Sequence, residues 1–487
     1  MLSLAILSAA AVWIVQRNGW TLYYGDAEAH LQVARRMVDS RTPGYGQLGA
    51  VWLPLPHLLM LPLVWNDVMW RTGLAGAIPS AIFFVAGGGF LFAAARRAFH
   101  SVEAGVIATG VFALNPNILY LQATPMTEPI FFASIAALLY FTVVFAQTAT
   151  MTAAAGAGVA SFIGTLTRYD AWFLIPFVAA YIYWRTPKRR LKFALVYGAI
   201  ACLGPLLWIA HNVWWFSDPF DFYRGPYSPK AIQKGVTYPG DHDWPTAIEY
   251  VFTAGRLCAG WVTLTLGIAG IAVAIRKLVL WPLLLLSLTP CFYVWSMASS
   301  SATPIFVPNL PPHGYYNTRY GLCFVVVFAF ASGSLALLAP ARRRSAIAAA
   351  AVAITALFWL IPPSPGRWIT WKESQVNSQA RRAWTKAAAD YLAGNYRNGG
   401  IFTMLGDEAG IYREAGIPLR QALTDGNEPA WMAAAARPDL FLYEKWAVAQ
   451  GGDEVSKAVA KMGNTYTRVD EIVEPGAPPL DIYRRNP

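Results

Sequence analysis

Charge is scarce in this sequence. Asp, Glu, Lys and Arg together make up 13% of its 487 residues, whereas soluble globular domains contain roughly 25%. Hydrophobic residues make up 56%, so the chain has far too much apolar surface to remain disordered. The composition excludes an intrinsically disordered protein and argues against a soluble enzyme.

Acidic residues are especially sparse in the first three quarters of the chain. Residues 1–363 contain 23 Lys and Arg against 12 Asp and Glu, and residues 364–487 contain 15 of each. The net charge of +11 therefore belongs to the first part alone. We predict a transmembrane domain over residues 1–363 and a soluble domain over residues 364–487, with a Pro-rich break at 362–366 (PPSPG).

Cysteine and enzyme signature motifs are scarce as well. The sequence has four cysteines, none of them in a CxxC pair, so it predicts neither a disulfide framework nor a zinc site. We interpret them as small buried hydrophobic residues. Walker A, GxSxG and HExxH motifs are missing, so no single motif identifies a chemistry. The four cysteines are Cys202, Cys258, Cys291 and Cys323.

Long apolar runs are abundant. A helix needs about 20 mostly apolar residues to cross a bilayer, and about eleven segments meet this condition. The first, 2–19, lacks the basic start of a signal peptide and is interpreted as a membrane anchor. Proline interrupts segment 51–70, so we expect a helix pair at the membrane interface there. The sequence thus predicts an all-α polytopic membrane protein with spans near 2–19, 74–95, 104–121, 129–148, 150–167, 171–184, 193–215, 254–275, 278–297, 320–340 and 345–362.

Basic residues mark alternate ends of these spans, as the positive-inside rule requires. We therefore expect a cytoplasmic N-terminus, with the loops at 20–73, 122–128, 168–170, 216–253 and 298–319 and the soluble domain outside. This distribution attributes the basic character to topology and predicts no nucleic-acid partner. The short loops favour a bacterial inner membrane, with an extracytoplasmic active site. The clusters are Arg96 and Arg97; Arg185, Lys188, Arg189, Arg190 and Lys192; Arg276 and Lys277; and Arg342, Arg343 and Arg344.

The predicted soluble domain alternates helical and extended patterns. This alternation predicts a small α/β or α+β domain on the outer face. Its predicted helices occupy 377–396, 428–436 and 453–462, and its predicted strands occupy 400–404, 439–443, 466–469 and 480–484.

The first outer loop carries the first candidate residues. Asp26 begins a helical pattern, so it could be an N-cap or, at the membrane surface, a general base. Asp26 and His30 are four residues apart and would share a helix face. Asp26 and Glu28 could bind a divalent metal ion, but only if the loop is not helical there.

Two further outer loops between predicted spans carry charged residues that are flanked by apolar segments. Glu128 is the one acid between residues 104 and 169. It is either an acid at a helix N-terminus or a functional group at a span end. Arg168 and Asp170 lie at the next outer corner, where they either pair with each other or contribute to substrate binding.

Two aromatic-rich segments complete the predicted outer face. The long loop before the eighth span contains Tyr223, Arg224 and Lys230. It is either an aromatic belt with interfacial cations or a mobile lid whose rings suit a sugar or a prenyl chain. Tyr316 and Arg319 precede a later span. Arg319 either snorkels to the headgroups or holds a lipid phosphate through paired hydrogen bonds.

Taken in order, these features resemble the GT-C glycosyltransferases, in particular their protein O-mannosyltransferase and aminoarabinose-transferase branch. That family has an Asp in the first outer loop, a Pro-rich juxtamembrane segment, a basic inner cluster, an Asn-Pro pair and an acid in the second outer loop. The match covers about residues 20–150, and two later segments resemble further family motifs. The matching residues are Gly25-Asp26-Ala27 with Ala34-Arg35, 52–57 (WLPLPH), 71–80, 95–99 (ARRAF), 114–116 (LNP), Glu128, 212–220 and 317–320 (NTRY).

The resemblance implies a GT-C-like fold and transfer of a sugar from a polyprenyl-phosphate donor to a lipid, glycan or protein acceptor. Asp26 would deprotonate the acceptor hydroxyl, the sugar would be transferred with inversion, and Glu128 would orient the acceptor or the sugar. Arg319 and loop cations would hold the phosphate as its charge develops. No cofactor is expected to be required. The remaining predicted substrate-binding residues are Glu28, His30, His57, Arg168, Asp170, Tyr223, Arg224, Lys230 and Tyr316.

A polytopic transporter or lipid flippase without covalent chemistry is the alternative from a different class. Such a protein should place polar residues near the midpoints of its spans and often repeats its halves. Here the polar candidates gather on one predicted membrane face. A non-catalytic relative with a scaffolding role is a third alternative.

Overall fold

The computed structural model describes residues 1–361, 367–406 and 408–487. The protein has a mostly helical polytopic membrane fold with a small mixed sheet in its C-terminal part. Within the described ranges, seven helical segments are long and apolar enough to cross a membrane. The predicted fold class is thereby confirmed, while the Pro-rich break at 362–366 lies outside the described residues. The seven segments are Leu74–Phe99, Glu128–Thr148, Arg190–Phe216, Trp244–Arg276, Leu280–Ser299, Thr318–Leu338 and Ala341–Leu360.

Seven of the eleven predicted spans match these segments, up to residue 361. The other four, 2–19, 104–121, 150–167 and 171–184, coincide with helices that are shorter than 18 residues. Short 3-10 turns lie at Tyr45–Leu48, Thr318–Gly321 and Gly333–Leu338. Up to residue 361 the helices are α1 (Leu2–Arg17), α2 (Gly25–Arg36), α3 (Leu55–Val64), α4 (Asp67–Thr72), α5 (Leu74–Phe99), α6 (Val102–Ala113), α7 (Pro116–Leu121), α8 (Glu128–Thr148), α9 (Met151–Thr165), α10 (Asp170–Arg185), α11 (Arg190–Ala201), α12 (Leu203–Phe216), α13 (Asp221–Arg224), α14 (Pro229–Ile232), α15 (Trp244–Arg276), α16 (Leu280–Ser299), α17 (Leu322–Ser332) and α18 (Ala341–Leu360). Those that follow are α19 (Ile369–Asn395), α20 (Ala409–Ala415), α21 (Ala430–Ala436), α22 (Pro438–Phe441) and α23 (Glu454–Lys461).

Asparagine caps explain two helix boundaries. α6 and α7 are separate because the side chain of Asn115 accepts a hydrogen bond from the amide of Asn117 and Pro116 occupies the first position of α7. Segment 51–70 forms the expected helix pair, α3 and α4, and Asn66 caps α4 through two backbone amides. The place of this pair at the membrane interface, and the orientation of the protein, stay predictions.

Close contacts divide the chain into two compact units. The membrane-type helices belong to unit 1 and the sheet belongs to unit 2. Unit 2 also includes most of the first loop, so the contacts do not follow the single boundary predicted near residue 363. Unit 1 contains Met1–Asn18, Ala50–Pro56 and Ala77–Glu373, and unit 2 contains Gly19–Gly49, His57–Gly76 and Ser374–Pro487.

Small residues allow the helices of unit 1 to pack closely. α15 lies against α17, and a Cβ atom at Gly270 would come within 2.2 Å of the carbonyl oxygen of Ala331. α15 is kinked at Gly260, where φ is 70° and ψ is 161°. Glycine adopts this backbone conformation readily, whereas residues with a side chain almost never do.

The cysteines of unit 1 differ in exposure. Cys258 and Cys323 are buried, as predicted, and Cys202 is half-buried. The prediction is wrong for Cys291, which is exposed on α16. Cys291 lies on the exposed face of α16, together with Leu284 and Trp295, which are exposed too.

Unit 2 contains a five-stranded mixed sheet. Parallel pairing joins the first strand to the second and the third, and the last strand pairs antiparallel with the third and the fourth. The strands are β1 (Ile401–Phe402), β2 (Ala422–Leu423), β3 (Trp446–Gln450), β4 (Tyr466–Ile472) and β5 (Leu480–Arg485), in the spatial order β2-β1-β3-β5-β4.

One predicted strand of this region is wrong. The run 439–443 begins in the short helix α22, because Pro438 at the first position favours a helical turn. The strand lies at Trp446–Gln450 instead. α20 and β2 were not predicted, since such short elements show too little periodicity.

A hydrophobic core holds α2 within unit 2. Leu31 and Ala34 of α2 are fully buried and belong to the same cluster as Trp384 and Leu392 of α19 and Ile401 of β1. Burying apolar surface of this kind stabilises by about 25 cal/mol per Å². The core therefore fixes the helix that carries the first candidate residues.

Candidate active site

Helix α2 carries the predicted general base. It begins at Gly25, and its N-cap is Tyr24, which makes no side-chain capping hydrogen bond. The interpretation of Asp26 as an N-cap is therefore wrong. Asp26 and Glu28 lie in the first turn, where the helix dipole favours negative charge. Because the segment is helical, these two side chains diverge, and the non-helical loop that a shared metal ion needs is not formed.

Glu28 is bound to a buried arginine of unit 2. Nε and Nη2 of Arg413 donate to the two carboxylate oxygens of Glu28 over 2.8 and 3.0 Å. Only 5% of the Glu28 side chain and 9% of the Arg413 side chain are exposed. Burial raises the pKa of Glu28, but the charge and hydrogen bonds of Arg413 outweigh it and leave this pKa below its usual range. The protein itself thus holds Glu28 as a carboxylate.

His30 and His57 lie side by side in unit 2. Nδ1 of His30 and Nε2 of His57 are 2.9 Å apart, and both rings are buried. One nitrogen donates and the other accepts, so the contact holds a single proton. Sequence analysis selected the two residues separately, and the structure brings them together one helical turn from Asp26.

Two arginines of α19 contact the segment before Asp26. Nη2 of Arg381 donates to the carbonyl oxygens of Leu22 and Tyr23 over 3.3 and 2.9 Å. The guanidinium carbon of Arg382 lies 3.8 Å from the centroid of the Tyr23 ring. Neither arginine was selected from the sequence, because nothing in the pattern of α19 points to a segment more than 350 positions away.

In unit 1, the structure brings Glu128, Arg168 and Asp170 into one buried network. Arg168 donates from Nη1 to Glu128 and from Nε to Asp170, over 3.3 Å in each case. Nη2 of Arg168 also donates to the Tyr293 hydroxyl over 3.0 Å, and that hydroxyl donates to Asp170. The expected pairing of Arg168 with Asp170 is present, and Glu128 and Tyr293 extend it.

Arg319 joins the same network from the turn before α17. Its Nε donates to Glu128 over 3.2 Å, and its Nη1 donates to Glu373 over 3.3 Å. The backbone amide of Arg319 donates to the other oxygen of Glu373 over 3.0 Å. The Arg319 side chain is only 8% exposed, so it does not extend outward as the snorkelling interpretation requires. Glu373, near the start of α19, was not selected from the sequence.

Among the described residues, this network contains three carboxylates and two guanidinium groups. The carboxylates of Glu128, Asp170 and Glu373 face the guanidinium groups of Arg168 and Arg319. Within the described part of the chain, Oε2 of Glu128 is buried and makes no hydrogen bond. A buried polar atom without a partner is costly. This oxygen is therefore available to a hydrogen-bond donor of a bound molecule.

The long loop between α12 and α15 presents the remaining candidates. Tyr223, Arg224 and Lys230 are exposed. A hydrogen bond from Arg224 holds the pKa of Asp218 below its usual range, over a distance of 2.6 Å. The ammonium group of Lys230 lies 5.1 Å from the centroid of the Tyr223 ring. A 3.4 Å hydrogen bond connects the loop to the hydroxyl of Tyr316.

Residues 64–215 match the family described as dolichyl-phosphate-mannose-protein mannosyltransferase. No curated protein sequence matches the chain significantly. Among solved structures, ArnT from Cupriavidus metallidurans bound to undecaprenyl phosphate is similar over 98% of this chain and 97% of that chain, with a TM-score of 0.60 and 13% identity. The oligosaccharyltransferase AglB from Archaeoglobus fulgidus, in complex with an inhibitory peptide and a dolichol-phosphate, is similar over 92% of this chain and 69% of that chain, with a TM-score of 0.49 and 11% identity.

At 13% identity, the likeness to ArnT shows the fold and leaves the chemistry to be argued from the site. The fold extends over nearly the whole chain, and the family match includes Glu128 and Arg168. The resemblance inferred from the motifs is confirmed by both findings. Residues 64–215 therefore match the dolichyl-phosphate-mannose-protein mannosyltransferase family, and the chain as a whole has an ArnT-like fold.

Proposed function

We propose that the protein transfers a sugar from a polyprenyl-phosphate donor to a lipid, glycan or protein acceptor on the extracytoplasmic face of a membrane. The observation that carries this proposal is the ArnT-like fold of the whole chain, because that ArnT structure contains undecaprenyl phosphate. The family match over residues 64–215 supports the same class of donor.

Asp26 is proposed as the general base. Glu28, the other acid in the first turn of α2, is bound to Arg413 and is assigned a structural role. In the proposed reaction, the acceptor oxygen attacks the anomeric carbon of the sugar while its proton passes to the carboxylate of Asp26. The bond from the anomeric carbon to the phosphate oxygen breaks on the opposite face. The configuration is therefore inverted, and polyprenyl phosphate leaves with the bonding electron pair.

Glu128 and Arg319 are proposed to orient the substrates. Oε1 of Glu128 accepts from both Arg168 and Arg319, and its buried Oε2 suits a hydroxyl of the sugar or of the acceptor. Arg319 would share its positive charge with the phosphate as negative charge develops there. The proposal includes no cofactor, because guanidinium groups supply the positive charge that the leaving phosphate requires.

Consumption of a lipid-linked sugar tests this proposal. Membranes that contain the protein are incubated with a panel of radiolabelled polyprenyl-phosphate sugars. We expect loss of one donor, formation of polyprenyl phosphate and transfer of the label to an acceptor. Membranes prepared without the protein serve as the control. If no donor is consumed by membranes in which the protein is folded, the proposed function is wrong.

The same preparation distinguishes the flippase alternative. A flippase moves the intact donor across the membrane without breaking the bond to phosphate. In sealed vesicles, unchanged donor would then collect on the opposite side. That result, without release of polyprenyl phosphate, would favour transport over glycosyl transfer.

A further inference from the structure

Two basic linkers meet at one end of unit 1, one between α10 and α11 and the other between α15 and α16. Tyr181, one turn before α10 ends at Arg185, stacks on Trp281, the second residue of α16, with ring centroids 3.7 Å apart. Because Lys277 precedes Trp281 by four positions, this stack brings the second linker beside the first. The basic residues of both linkers, named the linker cluster, are Arg185, Lys188, Arg189, Arg190, Lys192, Arg276 and Lys277.

The charge of the linker cluster is not neutralised by the protein. All seven residues are exposed, and within the described part of the chain none of them lies within 4.0 Å of a carboxylate oxygen. The sequence explains this, because no Asp or Glu occurs between Asp170 and Asp218. None occurs between Glu249 and Glu373 either. Positive charges gathered in this way create a local potential that attracts anions.

The backbone of both linkers turns sharply. Arg189 in the first linker has a φ of 54°, and Leu278 in the second has a φ of 58°. This left-handed conformation is uncommon for residues with a side chain. Next to the first turn, the guanidinium carbon of Arg190 lies 4.8 Å from the centroid of the Tyr183 ring. The ring and the tight turn limit the freedom of this part of the cluster, so less entropy is lost when an anion binds.

Exposed apolar side chains lie between these cations. Trp184 is 76% exposed, Leu191 is 60% exposed and Leu278 is 80% exposed. The helices α11, α15 and α16, which begin or end at the two linkers, belong to segments long and apolar enough to cross a membrane. Apolar residues exposed at the ends of such helices suit the acyl chains of lipids. A molecule that matches both the cations and the apolar side chains has an anionic headgroup and an apolar tail.

We propose that the linker cluster binds an anionic phospholipid of the leaflet at this end of the helices. The headgroup phosphate would accept hydrogen bonds from the Lys and Arg side chains, and the acyl chains would contact the exposed leucines. Each basic residue beside a span contributes about fivefold to the affinity for anionic lipid. The positive-inside rule explains why basic residues lie at the end of a span. The bound lipid explains why seven of them gather without a carboxylate partner. This inference goes beyond the proposed function and does not depend on it.

Binding of phosphatidylglycerol to the purified full-length chain in mild detergent, measured by native mass spectrometry, tests this proposal. We expect Arg189→Gln/Arg190→Gln to weaken binding by about thirtyfold and Lys277→Gln to weaken it by about fivefold. Arg342→Gln/Arg343→Gln is the matched control, because it removes two exposed arginines at the start of α18, and it should bind like the wild type. Equal weakening in the control would show that net charge attracts the lipid, and it would overturn the site.

Competition distinguishes a lipid site from a site for phosphate alone. Inorganic phosphate carries the charge without acyl chains, so at equal concentration it should not displace phosphatidylglycerol. Phosphatidylcholine carries acyl chains without net charge, so it should not displace it either. Leu278→Ser keeps every cation of the linker cluster and removes an apolar side chain, and it should weaken binding of phosphatidylglycerol. Displacement by phosphate or by phosphatidylcholine at equal concentration would overturn the assignment to an anionic phospholipid.

Thermal unfolding gives a second measurement of the same site. A ligand that binds only the folded chain raises its unfolding midpoint, so phosphatidylglycerol should raise the midpoint of the wild type more than that of Arg189→Gln/Arg190→Gln. The same experiment confirms that each variant is folded. If the double variant does not fold, Lys277→Gln decides, and wild-type affinity in that variant would overturn the proposal. The linker cluster shares no residue with the network of Glu128 and Arg319, so failure of this site leaves the glycosyl-transfer proposal standing.

Discussion

Glu28 and Arg413 form a buried two-point ion pair across 385 positions of sequence. The pair connects the first turn of α2, which carries Asp26, to α20 within the same compact unit. A third contact supports it, because Nη1 of Arg413 donates to the carbonyl oxygen of Arg71 over 2.8 Å. The position of the proposed base therefore depends on a residue of the C-terminal region.

Replacing Arg413 with leucine should destabilise unit 2. The substitution leaves the Glu28 carboxylate buried without its counter-charge, and breaking buried pairs in this way costs about 3–5 kcal/mol. Thermal unfolding of the purified chain in detergent measures the loss. The double variant Glu28→Gln/Arg413→Leu should be more stable than Arg413→Leu alone, because the amide carries no charge. If the double variant is no more stable, the buried charge is not the cause.

The same pair predicts how stability changes with pH. The pKa of Glu28 is lower in the folded protein than its ordinary value of 4.5, so folding favours the carboxylate. This contribution to stability is complete above the unfolded-state pKa and is lost as the pH falls through the folded-state pKa. Between about pH 5 and pH 3, the unfolding midpoint of the wild type should therefore fall more steeply than that of Glu28→Gln. Parallel curves would contradict the lowered pKa.

The membrane fold could be predicted from the sequence because the bilayer imposes a length on each apolar run. The breaks within those runs were harder to place, although Asn115 with Pro116 and the prolines of segment 51–70 indicated two of them. The run 439–443 was mistaken for a strand because apolar residues in a segment this short fit either period. The strand β3 has the predicted length of five residues but begins seven residues later, at Trp446, which shows how weak that signal is.

Residues of the candidate site could be predicted in the apolar part of the sequence, where a charged residue is unusual. They could not be predicted in the C-terminal part, where charged residues are common. Glu128 and Arg319 were selected because an ionisable group among apolar residues needs a partner, and the structure pairs them with each other. Glu373 and Arg413 lie in a part of the sequence with ordinary composition, so nothing distinguished them. Their roles depend on contacts between distant segments, which periodicity does not report.

Asp26→Asn should abolish sugar transfer while the protein stays folded. An amide cannot accept the proton of the acceptor hydroxyl, and loss of a general base slows reactions by about 10²–10⁴-fold. The rate of donor consumption in membranes measures the effect. Asp390→Asn is the matched control, since Asp390 is an exposed acid of the same unit that contacts Lys386. Full activity of Asp26→Asn would show that Asp26 is not the base.

Glu373→Gln should slow donor consumption without unfolding the protein. The substitution keeps the shape of the side chain and removes the charge that orients Arg319, so hydrogen bonds to a charged group become weaker by about 1 kcal/mol or more. We expect a fall of about tenfold in kcat/KM. Glu454→Gln, at an exposed pair with Lys457, is the control. Unchanged kinetics in Glu373→Gln would contradict a positioning role.

The Asn-Pro pair that contributed to the family resemblance has a structural role in unit 1. Nδ2 of Asn115 and Nδ2 of Asn117 donate to the same carbonyl oxygen, that of Cys258, over 2.9 and 3.0 Å. This carbonyl lies two residues before the kink at Gly260, where the regular helix ladder of α15 is interrupted. The two asparagines therefore satisfy an acceptor at the kink.

Gly260→Ala tests how strongly this kink is built into the fold. Its φ of 70° and ψ of 161° lie in a region that costs a residue with a side chain about 1–3 kcal/mol. The new Cβ atom would also lie 2.6 Å from the Phe358 ring and 2.7 Å from the Trp359 ring. We expect a clear fall in the thermal unfolding midpoint in detergent. Gly198→Ala on α11 is the matched control, because its Cβ atom would meet nothing within 4 Å and alanine favours a helix. If both variants unfold at the wild-type temperature, α15 straightens without cost, and the asparagine contacts to Cys258 do not depend on the kink.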